Sequence, residues 1–138
     1  MNIAIHDVIP GCTNFTWGEA LYLPQWNIHV LPDPAVEANI LHMAPTMQKI
    51  RDILDRPMLV TSWYRPFTYN KLIGGAGKSW HTTGGAVDFR CPHVSADETR
   101  IALRPLLEDL NIRMEDLDGS NWVHIDNKEP KVNRYFKP

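Results

Sequence analysis

The sequence predicts an α+β fold, a small and mostly antiparallel sheet packed by helices, and two observations carry that expectation. Apolar residues recur at helical spacing in one long early segment and in a shorter later one. Around and after them lie four runs of β-branched, aromatic or alternating residues, each too short for a helix. In chain order, residues 13–19 (Thr13-Asn14-Phe15-Thr16-Trp17-Gly18-Glu19) read as a short helix start capped by a hydroxyl or an Asn, which accept from the free amides of a first turn. The clearest helix opens at Asp33-Pro34. Proline suits the first helical position, and Val36, Ile40, Met43, Met47, Ile50 and Leu54 then recur at steps of three and four as a core stripe. Pro45 inside that stripe predicts a kink. Met58 to Tyr64 reads as a buried strand stopped by Pro66, which would set Arg65 at a strand end. Ser95 with Glu98 predicts a capping box for a second helix through Ile101, Leu103, Leu106 and Leu107 to Leu110, broken or kinked at Pro105. Strands are expected near 58–64, 85–89, 111–116 and 121–126.

With 138 residues the chain reads as one domain, 1–138, long enough to bury a core without staples. Its 43% hydrophobic and 22% charged content is ordinary for a globular protein. A formal net charge of -2 without a basic run argues against nucleic acid as a partner. Cys12 and Cys91 are far apart, lie in no C-x-x-C pair and read as free thiols. The first ten residues have neither a basic start nor a sustained apolar stretch, so no secretory signal and no membrane insertion are expected. A monomer is expected.

The chemistry concentrates in two segments. Ser79-Trp80-His81-Thr82-Thr83-Gly84-Gly85-Ala86-Val87-Asp88 offers an imidazole, two glycines that allow a tight turn after it, and a strand carrying a carboxylate. In Trp122-Val123-His124-Ile125-Asp126, alternation puts Val123 and Ile125 on one face and Trp122, His124 and Asp126 on the other. Neighbouring strands that bury Val87, Phe89, Val123 and Ile125 would present Asp88 and His124 to one cleft. Two imidazoles, one carboxylate and an open position suit a catalytic zinc. The remaining histidines, His6, His29, His42 and His93, lie in no such setting and read as structural or exposed.

Ser62-Trp63-Tyr64-Arg65-Pro66, Tyr69-Asn70, Ile73-Gly74-Gly75-Ala76, Ser79 through Asp88 and Trp122 through Asp126 together resemble the M15 peptidases. These are zinc D-Ala-D-Ala carboxypeptidases and peptidoglycan endopeptidases, whose fold is shared with hedgehog signalling domains. The resemblance implies zinc held by His81, Asp88 and His124, Arg65 facing the scissile carbonyl, and Ser79 helping to hold substrate. It also implies a peptidoglycan peptide as partner. A wall substrate and no signal segment together suggest synthesis in the cytoplasm and release by phage lysis or virion delivery. A zinc with an open position lowers the pKa of water and polarises a carbonyl, and a nearby Arg adds a fixed charge and a forked donor set.

The general base departs from the family pattern. Many relatives carry an acidic residue three before the last His, and here that place is Asn121, which cannot take a proton. Two carboxylates could substitute: Asp118, in the Asp118-Gly119-Ser120 turn, and Glu115, which faces the cleft if Ile112 and Met114 face the core. Asp126 could instead orient an imidazole. Trp80 and Trp122, each beside a proposed ligand, would form an aromatic wall for substrate. Asn121 also keeps open a zinc-containing wall or peptide binding module with little hydrolysis. Two His and one carboxylate suit a non-haem iron oxygenase as well, but such enzymes place the first His and the carboxylate closer than His81 and Asp88 stand here.

Overall fold

A computed structural model describes residues 3–138. Helix α1 (Trp17–Leu21) leads into the hairpin β1 (Tyr22–Leu23) and β2 (Ile28–His29), and then into α2 (Pro34–Leu54). Strand β3 (Leu59–Ser62), helix α3 (Phe67–Leu72), a 3-10 turn (Trp80–Thr83) and strand β4 (Ala86–Arg90) follow. Helix α4 (Ala96–Leu103) runs into a 3-10 turn (Arg104–Leu106), and β5 (Arg113–Glu115), β6 (Val123–Asp126) and β7 (Tyr135–Phe136) complete the chain. The main sheet has the order β3-β4-β6-β5-β7, antiparallel throughout except for the β5–β7 pair. The fold is therefore α+β with a small, mostly antiparallel sheet, as predicted. Among the described residues no helix is long and apolar enough to cross a membrane.

The helix starts follow their capping chemistry. Thr16 caps α1 with a complete capping box to Glu19, and Asp33 accepts the Val36 amide at 2.9 Å with Pro34 in the first turn of α2. The predicted stripe Val36, Ile40, Met43, Met47 and Ile50 is buried. α2 continues through Pro45, whose ring packs against Gly11. Of the box predicted at Ser95, the bond from the Glu98 amide to Ser95 Oγ is formed at 3.0 Å. Pro105 ends α4 as expected, the chain tightening into a 3-10 turn.

Two expectations need correction. Ile101 is 74% exposed, because α4 buries Ala96, Thr99, Arg100 and Leu103, a stripe displaced from the apolar one. The displacement is driven by Arg100, which donates to the Trp122 carbonyl at 2.7 Å and to Ser120 Oγ at 3.2 Å and so ties α4 to the approach of β6. The strand at 58–64 is an edge strand rather than a buried one. It pairs only with β4, leaves Leu59 44% exposed and ends at Ser62, so Arg65 stands beyond it. Cys12 and Cys91 are buried free thiols, as read.

One face of the sheet carries Val87, Phe89, Met114, Val123 and Ile125 against α2 and the early aromatic residues Phe15 and Trp17. Alternation sends Asp88, His124, Asp126, Arg113 and Glu115 to the opposite face. Register then does the convergence: Asp88 lies opposite His124 and Ser62, and Arg113 opposite Asp126.

Candidate metal centre

His81 reaches this face from the 3-10 turn rather than from a strand. Ser79 Oγ accepts the His81 amide at 3.3 Å, and the hydroxyls of Thr82 and Thr83 donate back to the carbonyls of Ser79 and Trp80. Gly84 ends the turn at φ 82°, where a Cβ would stand 3.0 Å from the Val36 carbonyl oxygen of α2. Gly84→Ala is therefore expected to destabilise the fold by about 1–3 kcal/mol, since strain and a backbone clash add. Thermal unfolding measures it, and an unchanged Tm would show that the turn can relax.

Three ligand atoms converge from these elements. His81 Nε2 is 3.1 Å and His124 Nδ1 2.8 Å from Asp88 Oδ1, and one ligand atom from each of the three residues lies within 4.8 Å of the others. Each imidazole is held by its far nitrogen. His81 Nδ1 meets the Trp63 carbonyl at 2.7 Å, and His124 Nε2 meets Asp126 Oδ2 at 3.0 Å. Those partners select the tautomers that leave His81 Nε2 and His124 Nδ1 as metal-facing atoms. Among the described residues His81 Nε2 is the buried side-chain polar atom left without a hydrogen bond. A buried lone pair aimed at a carboxylate and a second imidazole is what a metal ion satisfies, so the donor set fits the group the sequence implies.

The surrounding charges brace this set. Asp126 takes a bidentate pair from Arg113, at 2.8 and 2.9 Å, and the guanidinium stacks on Phe136 at 3.9 Å. Burial opposes charge on Asp126, but His124 and Arg113 outweigh it and hold its carboxyl down at about 2. Burial likewise opposes charge on Asp88, and the His81 and His124 imidazoles still hold it well below the usual carboxylate range. His124 is pulled down by burial but pushed up to about 9 by its bonds to Asp126 and Asp88. An imidazole held that high keeps a proton on Nδ1, so a metal ion and that proton compete for one atom.

Most of the sequence-predicted residues meet here, in altered parts. Arg65 donates from Nη2 to Asp88 Oδ2 at 3.1 Å and from Nε to Ser62 Oγ at 2.7 Å, so its guanidinium orients the carboxylate ligand. Its backbone amide donates to the His81 carbonyl at 3.0 Å, which ties it to a second ligand. Arg65→Lys keeps a cation but not this fork, and is expected to lower zinc affinity about ten- to a hundredfold. Chelator competition reads the change, and unaltered affinity would free Arg65 from this positioning role.

Glu115, Ser79, Trp80 and His124 line a cleft of about 230 Å³ with Arg113, Asp126, Lys128 and Phe136. Glu115 Oε2 stands 3.9 Å from His124 Nδ1, and burial pushes its carboxyl up. Asp118 is exposed in the turn after β5 and is not part of this lining. The five-residue span from Leu117 to Asn121 turns instead toward α4, where the Gly119 amide donates to Asp97 Oδ1. Asn121 follows it into a separate surface depression. Trp122 is 39% exposed and outside this cleft, whose aromatic lining residues are Trp80 and Phe136. Phe136 and Lys128 belong to a tail whose only sequence signal is the Tyr135-Phe136 pair that forms β7.

A search of curated proteins finds no match. A profile of the family described as Peptidase M15 matches residues 25–126, a span that holds all three candidate ligands, Arg65 and Glu115. M15 peptidases are zinc-dependent, and that match over most of the chain, on a fold whose ligand atoms and bracing carboxylates suit the ion, makes this protein a member of the peptidase M15 family of zinc metallopeptidases.

Proposed function

We propose that the protein hydrolyses an amide bond in peptidoglycan stem peptides or their crosslinks. The observation that carries the reading is Glu115, a carboxylate made more basic by burial and standing beside the ligand atom of His124. A bound zinc supplies the Lewis acidity that polarises the scissile carbonyl and lets water act as nucleophile near neutral pH. Glu115 accepts a proton from the attacking water as the new C–O bond forms. It then delivers that proton to the leaving nitrogen as the C–N bond breaks, so one carboxylate serves as base and acid. Arg65 and Asp126 keep Asp88 and His124 in place during both steps. Trp80 and Phe136 offer flat apolar walls for an extended peptide and exclude water from it.

The stem-peptide substrate rests on the resemblance of the Ser-Trp-Tyr-Arg, Ser-x-His and Trp-x-His segments to D-Ala-D-Ala carboxypeptidases and wall endopeptidases. On this reading the enzyme works outside the cytoplasmic membrane, delivered by phage lysis or from a virion. Asn121 keeps open a binding module without hydrolysis, but that residue lines a separate depression, whereas Glu115 lines the cleft, which supports the hydrolytic reading. Incubating zinc-loaded protein with defined muropeptides and weighing the products by mass spectrometry tests the proposal. One fragment pair, together heavier than the substrate by one water, is expected. Intact muropeptides alongside cleavage of an ordinary L-peptide would move the substrate class elsewhere.

A further inference from the structure

We infer that Lys128 is a specificity residue that holds a free carboxylate of the substrate close to the scissile amide; the inference rests on the amide-hydrolysis reading of the cleft.

Besides the candidate ligand His124, the cleft lining contains three side-chain cations, Lys78, Arg113 and Lys128, and two side-chain carboxylates, Glu115 and Asp126. Arg113 and Asp126 neutralise one another through their bidentate pair. Glu115 faces His124. Among the described residues neither Lys78 nor Lys128 has a carboxylate within ion-pair reach, and the acidic neighbour Glu129 pairs with Lys131 instead. With a divalent ion in place the lining carries excess positive charge, and a cleft of that sign selects an anionic ligand.

Lys128 differs from Lys78 in being built in. Lys78 is exposed, whereas Lys128 is half-buried. Its amide donates to Asp126 Oδ1 at 3.1 Å, so its backbone is tied to the carboxylate that orients His124. The preceding residue is fixed twice: the Asn127 amide donates to the Gly85 carbonyl at 3.0 Å, and Asn127 Oδ1 accepts from Trp80 Nε1 at 2.7 Å. The ammonium then lies 5.8 Å from the centre of the Trp80 ring, a contact that steadies it while leaving its three donors for a ligand. Lys128 follows His124 by four positions, a Cα-to-Cα reach of at most about 14 Å. A peptide advancing roughly 3.3 Å per residue therefore presents to Lys128 a carboxylate no more than about four residues from the bond at the metal. A lysine-containing stem peptide carries two carboxylates of this kind, the α-carboxylate of a γ-linked D-Glu and the C-terminal carboxylate.

The test uses zinc-loaded protein and the pentapeptide L-Ala-γ-D-Glu-L-Lys-D-Ala-D-Ala, together with forms in which the D-Glu α-carboxyl or the C-terminal carboxyl is a carboxamide. For the wild type one carboxamide is expected to lower kcat/KM about tenfold, chiefly through KM, and which one identifies the carboxylate. Lys128→Met should lose a similar factor on the unmodified peptide and no longer distinguish it from that carboxamide, and Lys128→Arg should restore the distinction. Equal discrimination by Lys128→Met and the wild type overturns the inference while leaving hydrolysis intact. Should the wild type cleave none of the peptides, the hydrolytic reading of these substrates fails. Calorimetric binding of the same peptides then decides the inference: a carboxylate preference abolished by Lys128→Met upholds it, and a preference that is absent or survives the substitution overturns it.

Discussion

Replacing any one of His81, Asp88 and His124 by alanine is expected to remove stoichiometric zinc and lower turnover by at least about a thousandfold, equivalent to roughly 4 kcal/mol of transition-state stabilisation. The three ligands come from a 3-10 turn and two adjacent strands, so no two of them form a sufficient local chelate. His81 is the most demanding of the three. It is buried, its Nδ1 is committed to the Trp63 carbonyl, and among the described residues its Nε2 has no hydrogen-bond partner and lies against the candidate ligand Asp88. Asp88 holds Arg65 as well, and its removal leaves a half-buried guanidinium without its anion. Asp88→Asn keeps the volume and separates that secondary cost from loss of the ligand. The apolar face of the sheet contains none of these side chains, so the far-ultraviolet circular dichroism of all three variants should resemble the wild type. Zinc near one per chain in any of them, measured by atomic emission, would place the centre on other residues.

The site was legible in the sequence to the extent that it is governed by alternation and turn chemistry. Period-two burial of Val87, Phe89, Val123 and Ile125 follows from their side chains alone, and with the strands adjacent it sends Asp88 and His124 to the same side. The same rule placed Glu115 once Ile112 and Met114 were assigned to the core, where both are buried. What alternation cannot convey is the path of the chain between strands. Asp118 and Asn121 stand near His124 in sequence, yet Arg100, donating to the Trp122 carbonyl, and Asp97, accepting the Gly119 amide, draw that turn toward α4. Those tertiary bonds outweigh sequence proximity. Arg65 shows the other limit. Its neighbourhood was predicted, but its partner was not, because an ion pair to Asp88 depends on a loop bond from the Arg65 amide to the His81 carbonyl. Phe136 enters through β7, a strand of two residues that no periodicity can reveal.

Glu115→Gln is expected to lower kcat by about 10²- to 10⁴-fold while leaving zinc content and Tm close to the wild type, the loss expected when a proton-transfer group becomes an amide of the same shape. Two features set this carboxylate apart from the other acids near the centre. Asp88 is a candidate ligand, and Asp126 is held by Arg113 and His124 with its carboxyl at about 2, too weak a base to carry a proton through the reaction. Glu115 alone combines a place in the cleft lining with a carboxyl raised by burial, nearer the working range of a base. Asp118→Asn is the informative partner experiment. Asp118 is exposed outside the cleft, so its substitution should change kcat less than about twofold, as surface changes away from a site generally do. A large loss in Asp118→Asn together with a silent Glu115→Gln would mean that the turn closes over the metal during catalysis and that the base comes from it. Loss of zinc in Glu115→Gln would instead show that the carboxylate supports His124, 3.9 Å away, without moving protons. Asn121→Asp adds a final discrimination, because an acid introduced at a position outside the cleft should leave turnover unchanged, whereas a large gain would bring that position into the reaction.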